Sequence, residues 1–148
     1  EAVFEGHAGF NAATFYGDTH FSRATFEGLA GFRDAAFEAG AEFYGASFVQ
    51  TADFYDVSFV KSPPLFAAKN VEPGEVYRAR FATLSAASES AKQEAHNFAV
   101  YEGSQPIPLG TAGLNGVDCR IPVGAVLFDP TSWDERQKEY TRLSEPAQ

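Results

Sequence analysis

The side chains of this 148-residue chain that could do chemistry are three histidines, one cysteine and twenty carboxylates. Histidine and cysteine hold metals when they recur at short fixed spacings, and a cysteine beside a histidine base is a nucleophile. His7, His20 and His96 are scattered and sit at different offsets from their nearest phenylalanines. Cys119 has no histidine or cysteine at ligand spacing. The glycine-rich run GTAGLNG at 110–116 lacks the strand–GxGxxG–helix setting that cradles phosphate and reads as a loop. No catalytic residue, metal or cofactor is therefore expected, and the chain reads as non-enzymatic. The carboxylates form pairs of a different kind, because Glu5 and Glu27, and Asp34 and Asp56, are each 22 residues apart. That spacing belongs to the elements that carry them.

Phenylalanine occupies 4, 10, 15, 21, 26, 32, 37, 43, 48, 54 and 59, at gaps alternating between six and five. Neither a helix of period 3.6 nor a strand of period 2 makes that pattern. Two positions before each stands a small residue, alanine in nine of the eleven cases, so each small residue and its Phe point to one side of an extended segment. The residues between and after are polar or glycine and face water. Repetition this strict is the signature of a solenoid. Four sides of alternating five and six residues make a 22-residue coil. Phe4, Phe26 and Phe48 then stack in one column, Phe10, Phe32 and Phe54 in a second, Phe15, Phe37 and Phe59 in a third, and Phe21 and Phe43 in a fourth. Gly6, Gly17, Gly28 and Gly45 each follow a Phe by two and are expected to turn corners with positive φ.

The stretch AGFRDAAFEAGAEF resembles the pentapeptide-repeat proteins, whose tandem A-x-[L/F]-x-x units wind a right-handed quadrilateral β-helix. In particular it is similar to the subgroup that alternates five- and six-residue units centred on Phe. The resemblance implies an all-β solenoid. Continuing the spacing brings Leu65, Asn70, Val76 and Phe81 inward, so residues 1–81 are expected to form the prism, with 60–81 a degenerate last coil. It would be about 3–4 coils tall, roughly 18 Å at strand spacing.

A helical and irregular extension is expected to follow. Apolar residues at Leu84, Ala87, Ala91, Ala95, Phe98 and Tyr101 recur every three or four and predict an amphipathic capping helix over 82–102. Twenty helical residues span about 30 Å and overhang the prism, so the spare face, Phe98 included, would meet residues 103–148 or another chain. Residues 103–148 read as turns with a short strand near 124–128, then a helix to about Leu143 opened by a capping box of Ser132 and Glu135. Trp133 and Tyr140 would share one face of it as anchors for a partner. The first repeat is in register at Ala2, so a trimmed fragment or an end covered in an assembly is expected.

The formal net charge is −9, of which residues 1–61 carry −6. That balance argues against direct nucleic-acid binding and against anionic membranes. The lone cysteine excludes an internal disulfide and fits a reducing, cytoplasmic setting. Two functions remain. The first is a structural or interaction module that presents its acidic surface and extension to a protein partner or, as a homodimer, to a second copy. The alternative is implied by the resemblance, since some pentapeptide-repeat proteins mimic B-DNA and regulate or protect type II topoisomerases such as DNA gyrase. The columns of Glu5 with Glu27 and of Asp34 with Asp56 suit it. A prism of roughly 18 Å covers only about half of a duplex turn.

Overall fold

The computed structural model describes residues 2–69, 75–83 and 96–148, and every regular element among them is a strand. In the repeat each strand is only two residues long, and those of the first coil pair in parallel with the strands 22 residues further on. Four stacks result. The first face holds β1 (Val3–Phe4), β5 (Thr25–Phe26) and β9 (Ser47–Phe48). The second holds β2 (Ala8–Gly9), β6 (Ala30–Gly31) and β10 (Ala52–Asp53). The third holds β3 (Thr14–Phe15), β7 (Ala36–Phe37) and β11 (Ser58–Phe59), and the fourth holds β4 (Thr19–His20) and β8 (Ala41–Glu42). The molecule is a β-helix of stacked parallel sheets.

Phenylalanine fills the interior. Successive rings in a column lie nearly parallel, as in Phe4 on Phe26 (4.9 Å) and Phe15 on Phe37 (4.6 Å). Neighbouring columns meet edge to face, as in Phe32 against Phe43 (5.7 Å, 87°). Both are the geometries that the ring quadrupole favours. Phe26, Phe32, Phe37, Phe43, Phe48, Phe54 and Phe59 are fully buried, whereas Phe4, Phe10, Phe15 and Phe21 at the end of the stack are partly buried.

The left-handed corners differ from the glycine expectation. Positive φ falls at Ala12, Arg23, Asp34, Gly45 and Asp56, every eleventh residue, where a five-residue side begins. Of the four glycines proposed for corners only Gly45 (φ +75°) shows it. Gly28 is required for another reason: a Cβ there would lie 2.6 Å from the backbone of Gly6 in the adjoining coil.

The columns continue past Phe59 by re-entry of the chain. On the fourth face Phe66, and not Leu65, stacks on Phe43 (5.3 Å), while Leu65 bridges Glu42 and is 48% exposed. The Pro63–Pro64 pair, unable to donate backbone hydrogen bonds, lies in a side lengthened by one residue. The next corner is replaced by a hairpin, β12 (Ala67–Lys69) against β13 (Val76–Arg78). Val76 is thus exposed rather than inward, and Asn70 lies outside the described residues. The chain returns to the first face as β14 (Arg80–Ala82), with Phe81 flat on Phe48 (4.8 Å, 2°).

No helix occupies the described ends of 82–102. Residues 84–95 lie outside the described set, but Asn97 bridges Asp53, Phe98 stacks on Phe54 (5.9 Å) and Tyr101 N–H donates to the Val57 carbonyl. Phe98 is 6% exposed. At Phe98 itself the aromatic column wins, because burying one Phe is worth about 1.5–3 kcal/mol. A second hairpin follows, β15 (Leu109–Leu114) with β16 (Val117–Pro122), turning at Asn115–Gly116 where both φ are positive. Then β17 (Val126–Phe128) joins the first face on β14. The segment 143–148 runs antiparallel beside β17 and occupies its outer edge, with Ser144 N–H donating to Leu127 O and Ala147 N–H to Ala125 O. Covering an edge in this way blocks further strand addition.

The helix expected to run to about Leu143 does not form among the described residues. Residues 133–140 form the hairpin β18 (Trp133–Asp134) and β19 (Glu139–Tyr140), with Trp133 opposite Tyr140. Asp134 Oδ1 accepts the N–H groups of Arg136 and Gln137, closing a turn where the capping box would have opened a helix.

Candidate functional site

The outward residues of the first face are small where the repeat is regular: Val3, Thr25 and Ser47, with Arg80 following in register. A flat wall of that kind lets another element lie close. The β18–β19 hairpin does so, and the two enclose a cleft of about 510 Å³ lined by Val3, Thr25, Glu27, Ser47 and Arg80 on one side and by Trp133, Lys138, Glu139 and Tyr140 on the other. This volume falls within the range of ligand and side-chain pockets.

Packing positions the aromatic wall. Tyr140 rests on the buried Phe128 (4.4 Å), and the Trp133 ring meets it at 5.0 Å and 67°, making an aromatic corner. Trp133 Nε1 donates to Glu135 Oε1 (3.1 Å) while Lys138 Nζ donates to Glu135 Oε2 (2.7 Å). These two bonds, the lysine's first, hold the Glu135 carboxyl below the usual range. Burial, then the charge of Glu27, pushes the Tyr140 hydroxyl up, and Arg80 opposes the shift.

Of the residues singled out in the sequence, Glu27, Trp133 and Tyr140 meet here. Glu5 is exposed, in the position of the adjoining coil that corresponds to Glu27. Asp34 and Asp56 lie elsewhere, at left-handed corners that aspartate tolerates better than most residues. Phe98 belongs to the core. Arg80 and Lys138 escaped the sequence reading. The run of small residues one position before Phe4, Phe26 and Phe48 was the available signal for a covered face.

The histidines do not assemble. His20 Nδ1 lies 2.7 Å from Glu42 Oε2, and that hydrogen bond raises its pKa. His96 is buried between two coils, Nδ1 accepting the Ala52 N–H (3.0 Å) and Nε2 donating to the Ala82 carbonyl (2.9 Å), so its neutral ring stands in for a backbone carbonyl. Among the described residues no three His, Cys, Asp or Glu side chains converge as a metal site would require. No helix among them is long and apolar enough to cross a membrane.

Residues 1–35 and 10–58 match the family model of pentapeptide repeats (9 copies). Residues 1–58 of this chain are accordingly pentapeptide repeats. Comparison with curated proteins and with solved structures finds no match.

Proposed function

We propose that the chain is a non-enzymatic interaction module: a rigid right-handed quadrilateral β-helix that offers a partner-binding cleft on its first face. One observation carries this reading. The terminal hairpin lies along the small-residue face and gathers Glu27, Trp133 and Tyr140 around an open space of about 510 Å³. Aromatic residues that are anchored by packing yet accessible are the groups that dominate protein interfaces. Trp133 fits this, being 44% exposed while its ring contacts Tyr140.

The alternative, a mimic of duplex DNA acting on a type II topoisomerase, draws on the acidic columns. It is the weaker reading, because the left-handed corners account for Asp34 and Asp56 without a partner. Sedimentation of the purified chain, with partner capture by wild type, Trp133→Ala, Tyr140→Ala and Glu38→Gln on another face, tests the module. Retention or self-association lost only in the two cleft variants supports it. Equal behaviour of all four proteins overturns it. A gyrase supercoiling assay separates the alternative, which requires salt-sensitive inhibition or protection by this chain.

A further inference from the structure

The chain lays two of its own arginines over tyrosine rings, one of them beside a carboxylate as well. Arg33 lies over the Tyr55 ring (4.8 Å to the centroid) while its Nε donates to Asp53 Oδ2 (3.2 Å). Arg23 lies over Tyr77 (5.1 Å). An aromatic face beside a carboxylate is a fitting environment for guanidinium, which is planar, weakly hydrated and attracted to the ring quadrupole.

The cleft repeats those parts. Trp133 and Tyr140 supply the rings, and Glu27 and Glu139 supply carboxylates that have no ion pair among the described residues. Lys138 is matched by Glu135 at 2.7 Å, and Arg80 offsets one of the two lining carboxylates, so one negative charge is left over. The net charge of −9 also draws cations toward the molecule and repels anions. We propose, building on the interaction-module reading, that the cleft seats an arginine side chain of a partner protein. Its guanidinium would lie against the Trp133–Tyr140 corner and between the carboxylates of Glu27 and Glu139.

Trp133 is the single tryptophan of the chain, so its fluorescence reports the cleft directly. The full chain is titrated with three hexapeptides of alternating glycine and arginine, glycine and lysine, or glycine and glutamate, at about 0.01 M ionic strength, where screening is weak. A saturable change with the arginine peptide is expected, with a weaker response to lysine and none to glutamate. The double variant Glu27→Gln, Glu139→Gln should weaken the arginine response about tenfold. Glu38→Gln, on another face, should leave it unchanged, and thermal melts confirm that each variant is folded. No saturable response, equal affinity for arginine and lysine, a response to the glutamate peptide, or an unaltered double variant each overturns the proposal. If the peptide fails while capture stays dependent on Trp133, the arginine assignment falls and the interaction module stands. If capture also ignores Trp133, both fall.

Discussion

Ala12, Arg23, Asp34, Gly45 and Asp56 share one backbone state, and only one of them is glycine. An L-residue in that state costs roughly 1–2 kcal/mol, and glycine avoids the cost. Gly45→Ala should therefore lower stability by about 1–2 kcal/mol, and Ala12→Gly should raise it by up to about 1 kcal/mol, read from denaturant melts. Changes of the same sign would sink the corner argument. His96 makes a second test. Burial, against the hydrogen bond to Ala82, lowers its pKa to about 4. The unfolded ring titrates near its ordinary value of about 6.5, so above that pH neither state binds the proton and nothing is lost. Below it the unfolded chain gains the proton and the native ring does not, so stability falls as pH drops from about 6.5 toward about 4, by about 3 kcal/mol. His96→Gln should flatten that part of the stability profile relative to wild type, and an unchanged difference between the two proteins would refute the role.

At the scale of elements, the register past the repeat turns on neighbours of opposite fate. Phe66 is 4% exposed and stacked on Phe43, whereas Leu65 faces water. Phe66→Ala should cost about 3–5 kcal/mol, and Leu65→Ala should change stability by about 0.5 kcal/mol or less. The reverse ranking would restore the unbroken six-five spacing. The regular coil was legible because each small residue and its Phe satisfy one inward-facing constraint. The extension was not, and the reasons are local. Trp133 and Tyr140 are seven apart, which places them on one side of a helix after two turns and equally opposite each other in a hairpin. Two backbone bonds to Asp134 and the seat on Phe128 decide between the two. Phe98 is similar: a helical face and a column vacancy above Phe54 both suit it, and only the second depends on partners distant in sequence. The cleft was half legible for the same reason. Its aromatic and Glu27 groups stood out, while Arg80 gained its place from a re-entry that no local pattern announces.

Across the whole molecule, charge and aromatic packing act in opposite directions. Residues 1–61 carry −6 of the net −9, on coils stacked at strand spacing. Raising ionic strength from about 0.01 M to about 1 M shortens the screening length from about 30 Å to about 3 Å, and should raise the melting temperature of the full chain. A flat or falling dependence would mean that the acidic columns are already compensated. Phe32→Asp should abolish the cooperative transition, since it removes a fully buried ring that touches several columns and leaves a charge in its place.

The detours that carry the chain away from the prism also set a timetable. Within the repeat, Phe26 meets Phe48 across 22 residues, but Phe48 meets Phe81 across 33, and Phe81 strand-pairs with Leu127 across 46. Ring closure grows costlier with the length of chain to be gathered, and distant pairings form slowly. The first face is thus expected to assemble in order along the chain. The regular coils would zip first as a template, the strand after the β12–β13 hairpin would dock on them, and β17 with its closing segment 143–148 would lock on last. The aromatic cleft depends on that final strand through Phe128, so the surface proposed to meet a partner is complete only when the last turn of the spiral is in place.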